Sequence, residues 1–290
     1  MEREPGSEPG GLGAVDAVLP KDMAKRAERT GAEKAEQDAL SLLALAALAG
    51  GFIAFGATFA AAVSAGPDTG AVMGLTKLAG GLAFSLAYVL AIVGGAELFT
   101  TNVLMVMAWA HRRLSTLHLL RAWGIVFVGN FIGAAATGAL LVLAGQHAEA
   151  GGAVGARLLE SAARIQGLGL GEALLLGLLG NTLLCLGVWL TYSARTTTDR
   201  ILALISPVAA FYVLGLEHAI AVMFYLPCAA YIQLLAEPAF WSAIDVSLPA
   251  VTPLGTLRVL LPVTLGNILG GGVLVALMYW FIYLRPERDA

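Results

Sequence analysis

The amino-acid sequence predicts an all-α polytopic membrane protein with six transmembrane helices in a three-plus-three inverted repeat. Its 290 residues are 58% hydrophobic and 13% charged, with a mean hydropathy of +0.81, which excludes a soluble protein of this size. Six apolar windows follow residue 38, and two of them are too long for one helix and too short for two. Short motifs also recur in the same order in both halves.

The first 38 residues are expected to form a cytoplasmic segment before the membrane domain. Residues 1–13 are rich in Gly, Pro and Glu, which is typical of disorder, whereas residues 16–38 interleave acids and bases in a helix-compatible pattern. The first apolar run begins only at residue 39, which is not the pattern of a signal peptide. A transport domain over residues 39–284 and a cytoplasmic tail over 285–290 complete the expected organisation.

Four windows without charged residues each predict one helix across about 30 Å of hydrocarbon. They are residues 39–67, 122–146, 173–194 and 259–284. Cys185 and Cys228 lie in apolar stretches, so we expect free thiols, and no spacing indicates a metal site or a cofactor. The net charge of −3 gives no indication of a nucleic-acid partner.

The second and fifth spans are predicted to be broken helices. Residues 78–110 contain one charge, Glu97, and residues 201–236 carry Glu217 and His218 near their middle. A continuous helix of either length would be roughly 50 Å long, which exceeds the bilayer. Glycines precede both acids, and irregular backbone at this depth is tolerated only inside protein or beside a watery cavity. Both breaks are therefore expected to face inward.

Matching motifs relate the two halves. Gly-Ala-Glu at 95–97 corresponds to Gly-Leu-Glu at 215–217, and Gly-Asn-x-x-Gly occurs at both 129–133 and 266–270. Two successive sets of three spans have opposite orientations, so residues 39–146 and 168–284 are predicted to form an inverted repeat with a site near the midplane. With six spans, 13 of the 17 Lys and Arg residues fall in segments on the same side of the membrane as the N-terminus. The positive-inside rule therefore predicts that both termini are cytoplasmic.

From residue 39 to the end of the last span, blocks of the sequence resemble the formate/nitrite transporter family. These blocks are AFSL at 83–86, GAELFT at 95–100, GN at 129–130 and 180–181, GVWL at 187–190, GLEH at 215–218 and TLGNILGG at 264–271. The resemblance implies an aquaporin-like protomer in a homopentamer, in the inner membrane of a prokaryote. Each protomer would pass a small monovalent anion or its acid; family substrates include formate, nitrite, hydrosulfide, acetate and lactate.

The resemblance also assigns residues to the pathway by position. It implies an outer hydrophobic slit formed by Phe84 and Phe211 and an inner slit formed by Tyr88, Leu98 and Phe99. It also implies a polar centre at the breaks, formed by Thr100, His218 and Asn181.

Three positions depart from the family pattern. Val222 stands where an asparagine is usual, Tyr88 where an aliphatic residue is expected, and Ile165, next to Arg164, where members often carry a lysine. These departures leave transport as the expected function, but the family substrate that this chain carries is not determined by them.

The residues themselves favour an anion. Half-helix N-termini at the two breaks would direct positive dipole ends at the midplane. Desolvating a bare anion costs on the order of 20 kcal/mol in the Born limit, so a proton or a hydrogen bond must offset it. His218, whose type of side chain changes charge near neutral pH, is the predicted donor, and transport is expected to be proton-linked through it. The alternative is a neutral packing histidine bonded to a carbonyl.

Four further residues are expected to support the breaks. We expect the Glu97 and Glu217 carboxylates to accept backbone N–H groups freed there, and Asn130 and Asn267 to hold backbone at close helix contacts. Thr100 is expected either to cap the helix that follows the first break or to contact substrate.

Two other functions remain as alternatives. A neutral-solute channel of aquaporin type is disfavoured because neither break contains Asn-Pro-Ala. An intramembrane enzyme or assembly subunit is disfavoured because the sequence contains neither Gly-x-Ser-x-Gly nor His-Glu-x-x-His. The sequence therefore predicts a transport protein and not an enzyme.

Overall fold

The structure is a computed structural model that describes residues 17–65, 73–246 and 248–285, and every regular element in these residues is helical. The predictions for residues 1–13 and for most of the C-terminal tail lie outside the described residues. In chain order the elements are α1 (Pro20–Glu36), α2 (Ala39–Val63), α3 (Met73–Gly94), α4 (Phe99–Ala110), α5 (Thr116–Leu143), a 3₁₀ segment (Gln146–Gly152), α6 (Ala153–Gly167), α7 (Leu170–Thr191), α8 (Thr197–Val213), α9 (Ala219–Leu235), α10 (Pro238–Ala243) and α11 (Pro253–Leu284).

The spans confirm the predicted six-helix membrane fold. Within the described residues, five helices are long and apolar enough to cross a bilayer, namely α2, α3, α5, α7 and α11, and α4 and α9 are shorter apolar helices. The second span is α3 followed by α4, and the fifth is α8 followed by α9. Helix α3 begins five residues before the predicted window, so it alone has the length of a full span.

Glycines allow the spans of each half to cross in backbone contact. A Cβ atom on Gly133 of α5 would overlap the Ala47 carbonyl of α2, and a Cβ on Gly270 of α11 would overlap the Leu178 carbonyl of α7. These glycines end the two Gly-Asn-x-x-Gly motifs. The motifs therefore occupy equivalent crossings in the two halves, as an inverted repeat requires.

Helix α1 lies across one face of the membrane domain, which we call the α1 face. Its buried residues recur every three or four positions, and they pack against α4 and the end of α11. Gly31 allows the closest approach, because a Cβ there would be 3.2 Å from the Met105 Cα of α4. Arg26 donates to the Tyr192 carbonyl at 3.1 Å. Asp38 then caps α2, and hydrogen bonds from Ser41 hold the pKa of Asp38 below its ordinary value.

Candidate transport pathway

The two helix breaks have the same backbone geometry. Gly95 and Gly215 both adopt left-handed conformations, with φ of 81° and 64°, which glycine accepts without steric cost. In each break the next amide closes the preceding helix: the Ala96 N–H donates to the Ala91 carbonyl at 2.8 Å, and Leu216 makes the equivalent bond to Phe211 at 3.2 Å. The short connection then leads into α4 or α9.

Asn130 of α5 links the first break to two spans. Its Oδ1 accepts from the Phe99 N–H at 2.8 Å, and its Nδ2 donates to the Ala46 and Glu97 carbonyls, both at 2.8 Å. The side chain is fully buried. One amide therefore satisfies the first free N–H of α4 and two carbonyls on either side of it.

Asn267 of α11 makes the equivalent set of bonds at the second break. It accepts from the Ala219 N–H at 2.8 Å and donates to the Gly177 and Glu217 carbonyls at 2.7 and 3.3 Å. The correspondence extends atom for atom to the first break. Both asparagines thus lie where the sequence motifs placed them, at close helix contacts.

Among the described residues no backbone N–H donates to the carboxylates of the two break glutamates, so the expectation that they accept freed amides was wrong. Instead, Glu97 pairs with Lys34 at the end of α1 at 2.8 Å, and Glu217 forms an ion pair with Arg164 at the end of α6 at 2.6 Å. Lys34 also donates to Asn102 at 3.1 Å. The asparagine side-chain oxygens accept the freed backbone amides. Each carboxylate therefore pairs with a basic residue of the amphipathic helix that precedes its repeat.

His218 is fully buried at the start of α9, which it caps. Its Nδ1 accepts from the Ala221 N–H at 3.2 Å, while its Nε2 has no hydrogen-bond partner among the described residues. A nitrogen that accepts cannot carry the proton, so the neutral ring holds its hydrogen on Nε2. That hydrogen is a buried donor with no acceptor inside the described protein.

Aromatic rings surround His218 on two sides. Phe84 of α3 and Phe211 of α8 stack with centroids 6.2 Å apart, and both rings lie close to the imidazole, at 6.0 and 5.3 Å. Tyr88 meets the imidazole edge-on at 6.2 Å. The structure therefore brings Phe84, Phe211 and Tyr88 together around the histidine.

Thr100 lies on α4 beside Tyr88. Its hydroxyl is 3.5 Å from the Tyr88 hydroxyl and does not cap α4, because Asn130 has that role. The Thr100 carbonyl accepts from Asn181 at 3.0 Å and from the Cys185 thiol at 3.3 Å. Asn181 Oδ1 is buried without a partner among the described residues. Cys185 was expected only to be a free thiol, and no motif indicated that it contacts the Thr100 carbonyl.

The remaining predicted residues are all buried, but not all of them face the histidine. The Phe99 ring packs edge-on against Trp123 and Phe127 of α5, with centroids at 6.0 and 5.2 Å, and it has no ring contact with His218 among the described residues. Leu98 and Val222 are each 0% exposed. Val222 is one helical turn after His218 and donates its N–H to the His218 carbonyl at 3.2 Å. Ile165 is likewise buried, so Arg164 supplies the charge there.

Two vestibules approach this centre from opposite faces. The outer vestibule, of about 250 Å³, is lined by Phe84 and Phe211 and by charged residues, namely Lys77, Arg157, Glu160, Arg164 and Glu217. The inner vestibule, of about 390 Å³, lies on the α1 face and reaches Gly95, Thr101 and Asn102; its charged residues are Arg26, Arg29, Lys34, Glu97 and Arg200. Basic residues outnumber acidic ones in both, which raises the local concentration of anions. Sequence windows could not show that Lys34 and Arg164 reach the breaks from outside the spans.

Comparisons with known proteins agree with this geometry. The model of the family described as formate/nitrite transporter matches residues 21–281. The chain is 40% identical to the formate channel FocA of Escherichia coli (strain K12) over 94% of its own length and 97% of that protein. Identity to FocA of Haemophilus influenzae is 33%, covering 92% and 95% of the two chains. A solved pentameric formate channel with formate bound superposes with a TM-score of 0.79 at 38% identity, covering 85% of this chain and 98% of that one.

Proposed function

This chain belongs to the formate/nitrite transporter family, whose members are channels and transporters and not enzymes, and we propose that it forms a homopentameric formate channel. We place the pentamer in the inner membrane of a prokaryote with the α1 face and both termini in the cytoplasm. The positive-inside distribution of Lys and Arg supports this orientation. Nitrite, hydrosulfide, acetate and lactate are the other small anions that the family carries.

The observation that carries the proposal is the unpartnered Nε2 of His218 between the two vestibules. A small anion that leaves either basic vestibule loses water at the aromatic rings and gains a hydrogen bond from Nε2–H. A buried donor without an acceptor costs about 1–3 kcal/mol, so binding of a hydrogen-bond acceptor beside His218 is favourable. A neutral solute gains less, because hydrogen bonds to charged groups are roughly twice as strong as neutral ones.

We propose that Phe84 and Phe211 form the outer constriction, and that Tyr88 and Leu98 form the inner one. Thr100 and Asn181 would offer polar atoms beside the inner constriction. Val222, one helical turn after His218, would present an apolar surface to the pathway. Phe99 would support α4 through its contacts with α5. In this arrangement an anion meets polar groups at the two mouths, at His218, and at Thr100 and Asn181 beside the inner constriction.

Proton linkage through His218 is the finer part of the proposal. An imidazolium would carry a hydrogen on Nδ1 and could not accept from the Ala221 N–H, so charging the ring breaks the cap of α9. His218 therefore acts first as a hydrogen-bond donor. It gives up a proton to the anion only after its Nδ1 has released the Ala221 amide and taken up a proton from a vestibule; the Nε2 proton then passes to the anion, and the ring is neutral again.

Proteoliposome flux of labelled formate across pH 5 to 8 tests the role of His218. His218→Asn keeps a capping oxygen and a donor but cannot titrate, so the variant is expected to assemble, to conduct, and to lose the dependence of uptake on an inward proton gradient. His218→Phe has no donor, and its formate flux is expected to fall at least tenfold.

The oligomeric state of each variant is the control, because His218→Phe also removes a helix cap worth about 1 kcal/mol. Glycerol flux in the same vesicles measures nonspecific leak. If pentameric His218→Phe carries formate with the wild-type rate and pH profile, the substrate does not pass the histidine.

A further inference from the structure

A groove on the α1 face is separate from the transport pathway. It lies between the end of α4, the start of α5 and the last turns of α11, and it has an open volume of about 720 Å³. Its nine lining residues include Arg112 and Arg113 and no acidic residue. The groove is thus a positively charged surface where these helices emerge from the membrane region.

Arg112 occupies a backbone position that favours glycine. Its φ is 62°, its N–H donates to the Trp109 carbonyl at 3.0 Å, and the Arg113 N–H donates to Ala108 at 2.9 Å, which together form a Schellman motif at the end of α4. The backbone gains nothing from an arginine at this position. Any benefit must therefore come from the guanidinium group.

The Arg112 guanidinium is available to a ligand. The residue is exposed, and no ion pair holds its side chain in the part of the chain that the structure describes. By contrast, the Arg113 guanidinium lies 3.2 Å from the Glu28 carboxylate of α1. Among the described residues, Arg112 is therefore the charge of the groove that no carboxylate compensates.

The N-terminus of α5 adds backbone donors to the same groove. Ser115 caps this 28-residue helix by accepting from the His118 N–H at 3.3 Å. The amides of Thr116 and Leu117 have no acceptor among the described residues. Free first-turn amides and the positive end of a long helix favour an anionic group such as a phosphate.

Aromatic and aliphatic side chains form the other wall of the groove. Trp109 is 39% exposed, and its indole donates to the Thr116 hydroxyl at 3.0 Å, which fixes the ring beside the α5 N-terminus. Trp280 and Leu277 of α11 line the opposite side. Tryptophan beside arginine at the end of a span is typical of the interface between headgroups and acyl chains.

We propose that this groove binds the headgroup of an anionic phospholipid such as phosphatidylglycerol. Arg112 and the first-turn amides of α5 hold the phosphate, and the acyl chain runs along Trp109, Leu277 and Trp280. A lipid fits this surface better than a free phosphate, because only a lipid places apolar chain against the tryptophans while its charge meets the arginine.

Native mass spectrometry of the detergent-purified full-length protein tests the site. Titration with phosphatidylglycerol and with phosphatidylcholine of the same acyl chains is expected to show about tenfold tighter binding of the anionic lipid. Arg112→Gly is expected to reduce phosphatidylglycerol affinity about tenfold while the thermal midpoint stays the same or rises, because glycine suits the left-handed turn. Opposite movement of binding and stability separates a lipid site from a folding defect.

Two matched variants complete the test. Arg112→Lys keeps the charge and is expected to retain most of the affinity, and Arg258→Gln removes one exposed charge from the opposite end of α11 and is expected to leave it unchanged. Equal lipid affinity of the wild type and Arg112→Gly overturns the proposal. So does a wild-type protein that binds no phosphatidylglycerol, as when a neighbouring subunit covers the groove, or one whose bound lipid is displaced by equimolar inorganic phosphate.

Discussion

At the scale of single residues, the buried asparagines show how irregular backbone survives inside a membrane domain. Each break releases amides and carbonyls that lipid cannot satisfy, and unsatisfied groups cost several kcal/mol apiece in hydrocarbon. One side-chain amide has both a donor and an acceptor, so Asn130 and Asn267 can each meet an N–H and two carbonyls. No apolar residue of that size can do the same.

Replacing Asn267 with leucine should therefore destabilise the protein strongly. Leucine has the same number and branching of side-chain heavy atoms as asparagine, so the change removes three hydrogen bonds without leaving a cavity. Three buried groups would lose their partner at about 1–3 kcal/mol each, and the expected loss is at least 3 kcal/mol. Thermal denaturation of the detergent-solubilised protein measures the effect.

Val222→Leu is the comparison for Asn267→Leu, because it changes a fully buried residue near the same break that makes no side-chain hydrogen bond. A thermal midpoint for Asn267→Leu within a degree or two of the Val222→Leu value would mean that the asparagine does not hold the break.

The sequence identified most of these single residues, but not all of their partners. The Gly-Asn-x-x-Gly motifs located Asn130 and Asn267 because a short motif carries both the close approach and the polar group. Cys185 gave no comparable signal, because its bond to the Thr100 carbonyl depends on how α7 meets α4. The direction of the Phe99 ring likewise follows from the packing of α5 and not from its own neighbours.

At the scale of elements, each repeat begins with an amphipathic helix that delivers one basic residue to a break. Lys34 is in the last turn of α1 and Arg164 in the last turn of α6. Their acidic partners are almost fully buried, with side-chain exposures of 4% for Glu97 and 2% for Glu217. The repeat unit therefore consists of four elements, a surface helix and three spans, and not of three spans alone.

A double-mutant cycle on Arg164 and Glu217 tests this contact. Arg164→Met leaves a buried carboxylate without its partner, and Glu217→Gln alone removes that charge while keeping a side chain of the same shape. Because Arg164 is 48% exposed and screened by solvent, we expect a coupling energy of about 1–2 kcal/mol, below that of a fully buried pair.

Thermal midpoints of the two single variants and the double variant give the coupling. The double variant should be more stable than the sum of the single effects predicts. Strict additivity would show that α6 is held on the outer face by its apolar residues alone.

The lengths of the apolar windows in the sequence predicted most helices of the membrane domain. Broken helices were predictable because two apolar windows had lengths that one straight helix could not accommodate. The surface helices were harder: the helix-compatible pattern of residues 16–38 gave no indication of where that helix would dock, and the sequence analysis made no prediction for α6. Their docking depends on tertiary contacts such as Gly31 against Met105.

At the scale of the whole molecule, the proposed pathway lies within one protomer. The outer vestibule, His218 and the inner vestibule are all formed by residues of one chain. In a pentamer of about 150 kDa, built from chains of 29.9 kDa, the five pathways should therefore work independently.

Mixed pentamers of wild-type and His218→Phe subunits can test this independence. Subunits with different affinity tags are co-expressed, purified at known ratios and reconstituted, and formate flux is expected to fall linearly with the fraction of variant subunits. Mixtures of two wild-type chains with the same tags control for assembly. A steep, power-law loss of flux would instead indicate a single route along the five-fold axis.

The pseudo-twofold axis also has a consequence for direction. Leu98 and His218 stand at matching points, each just after the glutamate of its break, yet only one of them can donate a hydrogen bond. The free-energy profile of an anion along the pore is therefore asymmetric, although the surrounding helices are arranged with pseudo-twofold symmetry. Such a pore should rectify once formate saturates the His218 site: under equal and opposite gradients at saturating concentration, efflux and influx should proceed at different rates, with no moving gate required.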